Sequence, residues 1–218
     1  MVTLINIRAL DIRATLAALI MVLCLVPVSL FASEDKFIEG LSAYFSGNYD
    51  KAADIWHPLA QQGHAKAQYR LGKMYDFAEG IPQDDAEAVK WYRHAAEQGH
   101  ASAQLLLAIM YDDGRGVLQD YAEAAKWYRR AAEQGKAGAQ NNLGYMYNNG
   151  YGVPQNYVLA HMWYNLAASQ GYEMSLGSGD GEPGNRDLVA RQMTPAQIAR
   201  AQGLATRCLV SDYQDCGE

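Results

Sequence analysis

The sequence predicts an all-α solenoid of stacked helix–turn–helix repeats, and three observations carry that reading. Segments of 36 residues beginning at Ala67, Ala103 and Ala139 repeat one another, with fourteen positions identical in all three. Within each segment Leu, Met and Tyr recur at i, i+3 and i+4 (Leu71, Met74, Tyr75 and their counterparts), which is one face of a helix. Glycines punctuate each segment twice, at Gly80, Gly116 and Gly152 and again at Gly99, Gly135 and Gly171. Self-similarity at this period marks a solenoid: one unit cannot bury its own apolar stripe, and stacking buries it between neighbours.

Residues 1–32 read differently from the rest. Arg8 and Arg13 precede an apolar, uncharged stretch from Ala14 to Ala32, the pattern of a secretory signal peptide. Pro27 breaks a helix ahead of a cleavage point around Ala32. An uncleaved signal anchor is the alternative, since about 18 apolar residues just span a bilayer. The expected location is periplasmic or secreted, with membrane contact only if the leader is retained. Cleavage leaves 16 basic and 23 acidic residues, a charge of −7, against −6 for the whole chain.

Residues 33–66 form a first unit. Ala43, Tyr44, Gly47, Tyr49, Ala52, Trp56 and Leu59 restate the theme with a turn four residues shorter, on an alignment that sets Tyr44 with Tyr75 and Trp56 with Trp91. That is the spacing of a tetratricopeptide (TPR) unit. Three full repeats follow, at 67–102, 103–138 and 139–174. The second helix of each places Ala88, Trp91 and Ala95, and their counterparts, on one stripe. Small alanines opposite large rings let neighbouring helices approach closely. Residues 175–184 (SLGSGDGEPG) read as a Gly-rich loop. Residues 185–218 read as a helical cap: a short helix from Asn185, then Thr194-Pro195-Ala196-Gln197 opening the last helix with an N-cap, a first-turn proline and a reciprocal capping glutamine.

The repeated motif LGxMYxxGxGVxQ…AxxWYxxAAxQG, complete from Leu143 to Gly171, resembles the Sel-one-like repeat (SLR) family of the tetratricopeptide superfamily. The resemblance covers residues 67–174. It departs at Ala78 and Glu79 in the first repeat and at Ala108, where Gly72 and Gly144 stand in the others. It implies a right-handed α/α superhelix used as an adaptor or scaffold for protein partners, frequently exported and bacterial, with no catalytic residues. Some cysteine-rich exported proteins of this repeat type are linked to β-lactam hydrolysis. A hydrolase of β-lactams or cell-wall material is therefore the alternative reading. Those proteins carry a cysteine pair in each repeat, and this chain has no cysteine within residues 33–207.

The chemistry-bearing residues point the same way. A pI near 5.4 with no basic cluster argues against a nucleic-acid partner. The Trp91-Tyr92, Trp127-Tyr128 and Trp163-Tyr164 pairs recur at helical spacing, as core residues do. The five histidines, His57, His64, His94, His100 and His161, form no local metal-ligand pattern. Asp84-Asp85 and Asp112-Asp113 are read as acidic pairs in polar turns. No nucleophile or phosphate-cradling motif occurs. Neither a cofactor nor a metal is expected. Cys208 and Cys216 remain after loss of Cys24 with the leader; in an oxidising compartment they close a small loop, and two free thiols are the alternative.

A partner face is sought where the repeats differ, on the premise that invariant positions pack and variable ones are released from packing. Three positions of the first helix vary most: Tyr69, Arg70 and Lys73; Leu105, Leu106 and Ile109; Asn141, Asn142 and Tyr145. Spacing of i, i+1 and i+4 puts each trio on one helical face. Stacked repeats align them into a stripe with an apolar centre and polar flanks, suited to a partner peptide or helix.

Overall fold

The computed structural model describes residues 28–172 and 184–216. Ten helices succeed one another among them: α1 (Val28–Phe45), α2 (Tyr49–Gln61), α3 (Ala65–Phe77), α4 (Asp85–Glu97), α5 (Ala101–Asp113), α6 (Tyr121–Ala132), α7 (Ala137–Asn149), α8 (Tyr157–Ser169), α9 (Asn185–Ala190) and α10 (Pro195–Val210). Each helix from α1 to α8 packs on the next, and α9 and α10 both pack on α8. The leader reading rests mainly on residues 1–27, and the Gly-rich loop on 175–183; both lie outside the described residues. None of the described helices is long and apolar enough to cross a membrane.

The helices begin and end where local chemistry requires. Asp84, Asp120 and Asn156 cap α4, α6 and α8, each side chain accepting two backbone N–H donors at 3.0–3.1 Å. Gly114 and Gly150 close α5 and α7 in the left-handed region, and Ala78 takes the same conformation at φ 53° at the end of α3. Thr194 and Gln197 form the reciprocal cap of α10, with Pro195 in its first turn.

The core repeats with the sequence. Ala88, Ala124 and Ala160 are fully buried, as are Leu71, Leu107 and Leu143, and each Trp-Tyr pair lies inside. Gly72 and Gly144 stand where a Cβ would fall 2.5 and 2.8 Å from the Tyr92 and Tyr164 rings, so these helices touch through glycine. In the first unit a Cβ on Gly40 would fall 2.2 Å from the Trp56 ring. Gly40 therefore corresponds to Gly72, and Trp56 fills the place of Tyr92. This shifts the sequence alignment by one residue: Ile55 holds the place of Trp91, and Phe45 that of Phe77. The four-residue shortening of the turn is unchanged, because Asn48 and Asp84 still cap the second helix. The first helices of the full repeats start at Ala65, Ala101 and Ala137, two residues before the chosen origin of the period.

At the C-terminal end, Cys208 is buried in the core and joined to Cys216 by a disulfide. The closed loop brings the Tyr213 hydroxyl 3.4 Å from the Gln170 amide at the end of α8. The final helix is thereby tied to the third repeat.

Candidate partner-binding face

Two invariant glutamines in each repeat build a buried amide ladder. Gln68, Gln104 and Gln140 sit inside the stack and donate to the carbonyls of Ala60, Ala96 and Ala132 at the end of the preceding helix, at 3.0–3.1 Å. Gln98, Gln134 and Gln170 then donate to the side-chain oxygens of those three glutamines at 2.7–2.9 Å. The ladder gives each of these helix-end carbonyls a further donor beside the N–H of Gly63, Gly99 or Gly135, and it links every repeat to its predecessor.

The variable positions do a second job that the sequence reading missed. Tyr69 stacks on His100, the N-cap of the next repeat, with ring centroids 4.5 Å apart. Phe37 stacks in the same way on His64 at 5.1 Å. Both histidines accept the N–H of the residue three further on through Nδ1. In the next interface Leu105 faces Gly138, and in the last one Asn141 accepts from the Asn185 amide at 3.2 Å. A second matched column lies in the turns. Arg115 donates to buried Asp76 and, at 2.8 Å, to Asp85 of the previous repeat. One repeat on, Tyr151 instead stacks on Tyr121 at 5.2 Å. Much of the variation between repeats is thus complementary packing between neighbours.

This corrects the premise of the stripe. Asn141 is only 5% exposed and is covered by α9, so it does not face a partner. Tyr69 and Leu105 belong largely to the repeat interfaces. Leu106 and Ile109 are half-buried against the core, and Asn142 reaches Tyr128 and Asn141. Arg70 and Lys73 remain on the surface of α3 with Tyr145 on α7, the last 41% exposed and edge-on to Tyr151. Phe77 (56% exposed), one helical turn beyond Lys73, and its first-unit counterpart Phe45 (75%) complete the surface. The usable signal was a phenylalanine at the same repeat position in two successive units, hidden by the one-residue misalignment.

Charges on this face have physical partners. The Arg70 guanidinium lies 5.6 Å from the Tyr44 ring centre and 6.0 Å from that of Phe45, and the Lys73 ammonium lies 5.4 Å from Phe77. The Tyr44 hydroxyl is pushed up to about 12 by burial and then by its hydrogen bond to Glu79. Asp112 and Asp113 lie in the last turn of α5, not in the following loop. The Tyr128 hydroxyl donates to Asp112 at 3.1 Å, and burial holds the Asp112 carboxyl above its usual range.

Because the folded pKa of Asp112 is raised, the cost of its ionisation is absent well below the unfolded value of 3.8, sets in as pH rises past that value and is complete above the folded one. Asp112→Asn keeps an acceptor for Tyr128 and matches Asn148 at the same place in the next repeat. It is expected to raise the melting temperature at pH 7 and leave it unchanged at pH 3. A lowered melting temperature at pH 7 would show that the charge stabilises the fold.

Comparison with known proteins agrees with this architecture. The Sel1 repeat family model matches residues 65–100, 101–136 and 137–172. Among solved structures, a protective antigen present in uropathogenic Escherichia coli strains, displaying an SLR fold, is 43% identical with a TM-score of 0.61. That match covers 64% of this chain and 31% of the antigen. A Sel1 repeat protein from Oxalobacter formigenes is 36% identical with a TM-score of 0.61, covering 67% of this chain and 60% of that one. Two curated proteins, each an exopolysaccharide production negative regulator, also match. The one from Rhizobium meliloti (strain 1021) is 38% identical over 53 residues, 24% of this chain and 20% of its own length. Its counterpart from Rhizobium leguminosarum bv. viciae is 36% identical over 58 residues, 27% and 22% respectively. The chain thus spans about a fifth of the length of the curated relatives it matches.

Proposed function

Since this chain belongs to the Sel1-like repeat family, we propose that it is an exported, non-catalytic adaptor that binds a segment of a partner protein on the face carried by its first helices. Sel1 repeat proteins are helical-repeat scaffolds, typically for protein interaction. The observation that carries the reading further is the exposure of Phe45, Phe77 and Tyr145 on the first helices α1, α3 and α7, with half-buried Leu106 and Ile109 on α5 between them. Large exposed apolar side chains grouped along a rigid surface are the anatomy of a recognition site. The leader, with Arg8 and Arg13 ahead of its apolar stretch, supports export, as does the Cys208–Cys216 disulfide.

A photo-reactive phenylalanine analogue tests the face directly. Placed at Phe77 or Tyr145 in the native cells, it is expected to capture a discrete protein adduct. Placed at Lys126, exposed on the second helix of a repeat, it is expected to capture none. Equal capture at all three positions, or none at any, would remove the support for a dedicated face.

A further inference from the structure

The first-helix face is uneven in charge, and that unevenness selects among partners. The α3 helix carries Lys66, Arg70 and Lys73, and its one acidic residue, Asp76, is buried and held by Tyr92 and Arg115. Lys66 pairs with Glu34 at 3.1 Å. Arg70 and Lys73 meet no carboxylate within ion-pair distance among the described residues. They lie over aromatic rings instead, and two of those rings, Phe45 and Phe77, are the most exposed phenylalanines described. Arg70, Lys73 and Phe77 are spaced i, i+3 and i+7, so they share one side of α3. The Phe45 ring approaches Arg70 from the preceding unit.

The corresponding places in later repeats are different. Leu106 and Ile109 on α5 are apolar, Asn142 and Tyr145 on α7 are uncharged, and Asp113 and Asn149 stand where Phe77 does. Two cations without carboxylate partners, each laid against an exposed ring, thus occur at one end of a face on a chain of net charge −6. Both cations are half-buried, so each keeps part of its surface for an anion.

We propose that Phe45, Arg70, Lys73 and Phe77 form a subsite for an acidic, apolar peptide segment, one in which carboxylates flank large aliphatic or aromatic side chains. The phenylalanines receive the apolar side chains, and Arg70 and Lys73 receive the carboxylates, so the charge pairs fix the position of the segment along the first helices. This assignment rests on the first-helix face being the binding face.

The test uses the full chain and three immobilised sets of twelve-residue peptides that alternate Leu and Phe with Glu, with Gln or with Lys. The Glu set is expected to bind about tenfold more tightly than the Gln set, with the Lys set weakest. Arg70→Gln with Lys73→Gln is expected to erase that preference while the helical circular dichroism is retained, whereas Lys126→Gln leaves it intact. Equal binding of the three sets, no binding of any, or an unchanged preference in the double variant would overturn the proposal. So would a concentration-dependent dimer, seen by light scattering, that the double variant abolishes, since a second copy would then occupy the subsite. The crosslinks at Phe77 and Tyr145 separate the two readings: adducts that persist without an acidic preference sink the subsite alone, and their absence sinks the face.

Discussion

Gly152→Ala is expected to destabilise the stack by about 3 kcal/mol or more, whereas Gly171→Ala costs only about 1–2 kcal/mol. Both glycines lie in the left-handed region, at φ 68° and 75°. An added side chain therefore meets the same backbone penalty at each. The sites differ in what surrounds them. A Cβ on Gly152 would fall 2.1 Å from the Tyr121 carbonyl oxygen and 2.2 Å from its carbon, at the start of the preceding repeat's second helix. At Gly171 nothing lies within 4 Å. The turn of one repeat thus rests on the backbone of the one before, and Gly116 repeats the arrangement 2.2 Å from the Asp85 carbonyl oxygen. Thermal unfolding of the two variants checks the difference. At roughly 2–4 °C per kcal/mol for a chain of this size, Gly152→Ala should lower the midpoint by several degrees more. Equal midpoints would mean that the turn does not bear on its neighbour.

Gln140→Leu is expected to cost roughly 1–3 kcal/mol, the worth of two hydrogen bonds, and to weaken the joint between the second and third repeats. The Gln140 side chain is fully buried; it donates to the Ala132 carbonyl at 3.1 Å and accepts from Gln170 at 2.9 Å. Leucine fills much of the same volume but removes both hydrogen bonds, leaving the Ala132 carbonyl with only the Gly135 N–H and the Gln170 amide with only the longer contact to the Tyr213 hydroxyl. Solenoid stability depends on interfaces between neighbours, so damage at one interface splits the cooperative unit. Hydrogen exchange should show α7, α8 and the C-terminal cap losing protection before α3 and α4. A uniform loss along the chain would contradict the interface role of the ladder.

Much of this fold was legible because a repeat writes its packing rules several times over. Periodic Leu, Met and Tyr, the alanine and Trp-Tyr stripe, the turn glycines and the Thr194–Gln197 cap each leave a signature within one helix or one turn, even where, as at Gly152, they also meet a neighbour. Their physical meaning can therefore be read locally. What depends on neighbours could not be read that way. Tyr69 and His100 are 31 positions apart in sequence, Asp85 and Arg115 are 30 apart, and each pair has meaning only once the repeats are stacked. The variable trios therefore look alike in the sequence, although their first members mainly match the neighbouring repeat or cap. Asn141 was lost from the face for a related reason: α9 folds back on α8 and covers it. The match of Phe45 with Phe77 is invisible in an alignment that sets Trp56 in the tryptophan column; only its close approach to Gly40 places it in the tyrosine column.

The face that remains joins Arg70, Lys73, Leu106, Ile109 and Tyr145 to Phe45 and Phe77, and site-specific crosslinking in the native cells tests it most directly. A photo-reactive residue at Phe77 should yield one discrete adduct whose crosslinked peptide maps to a single segment of the partner, while the same residue at Lys126 yields none. Adducts of the same pattern from Phe77 and Lys126, or none from Phe77 and Tyr145, would contradict binding through the first helices.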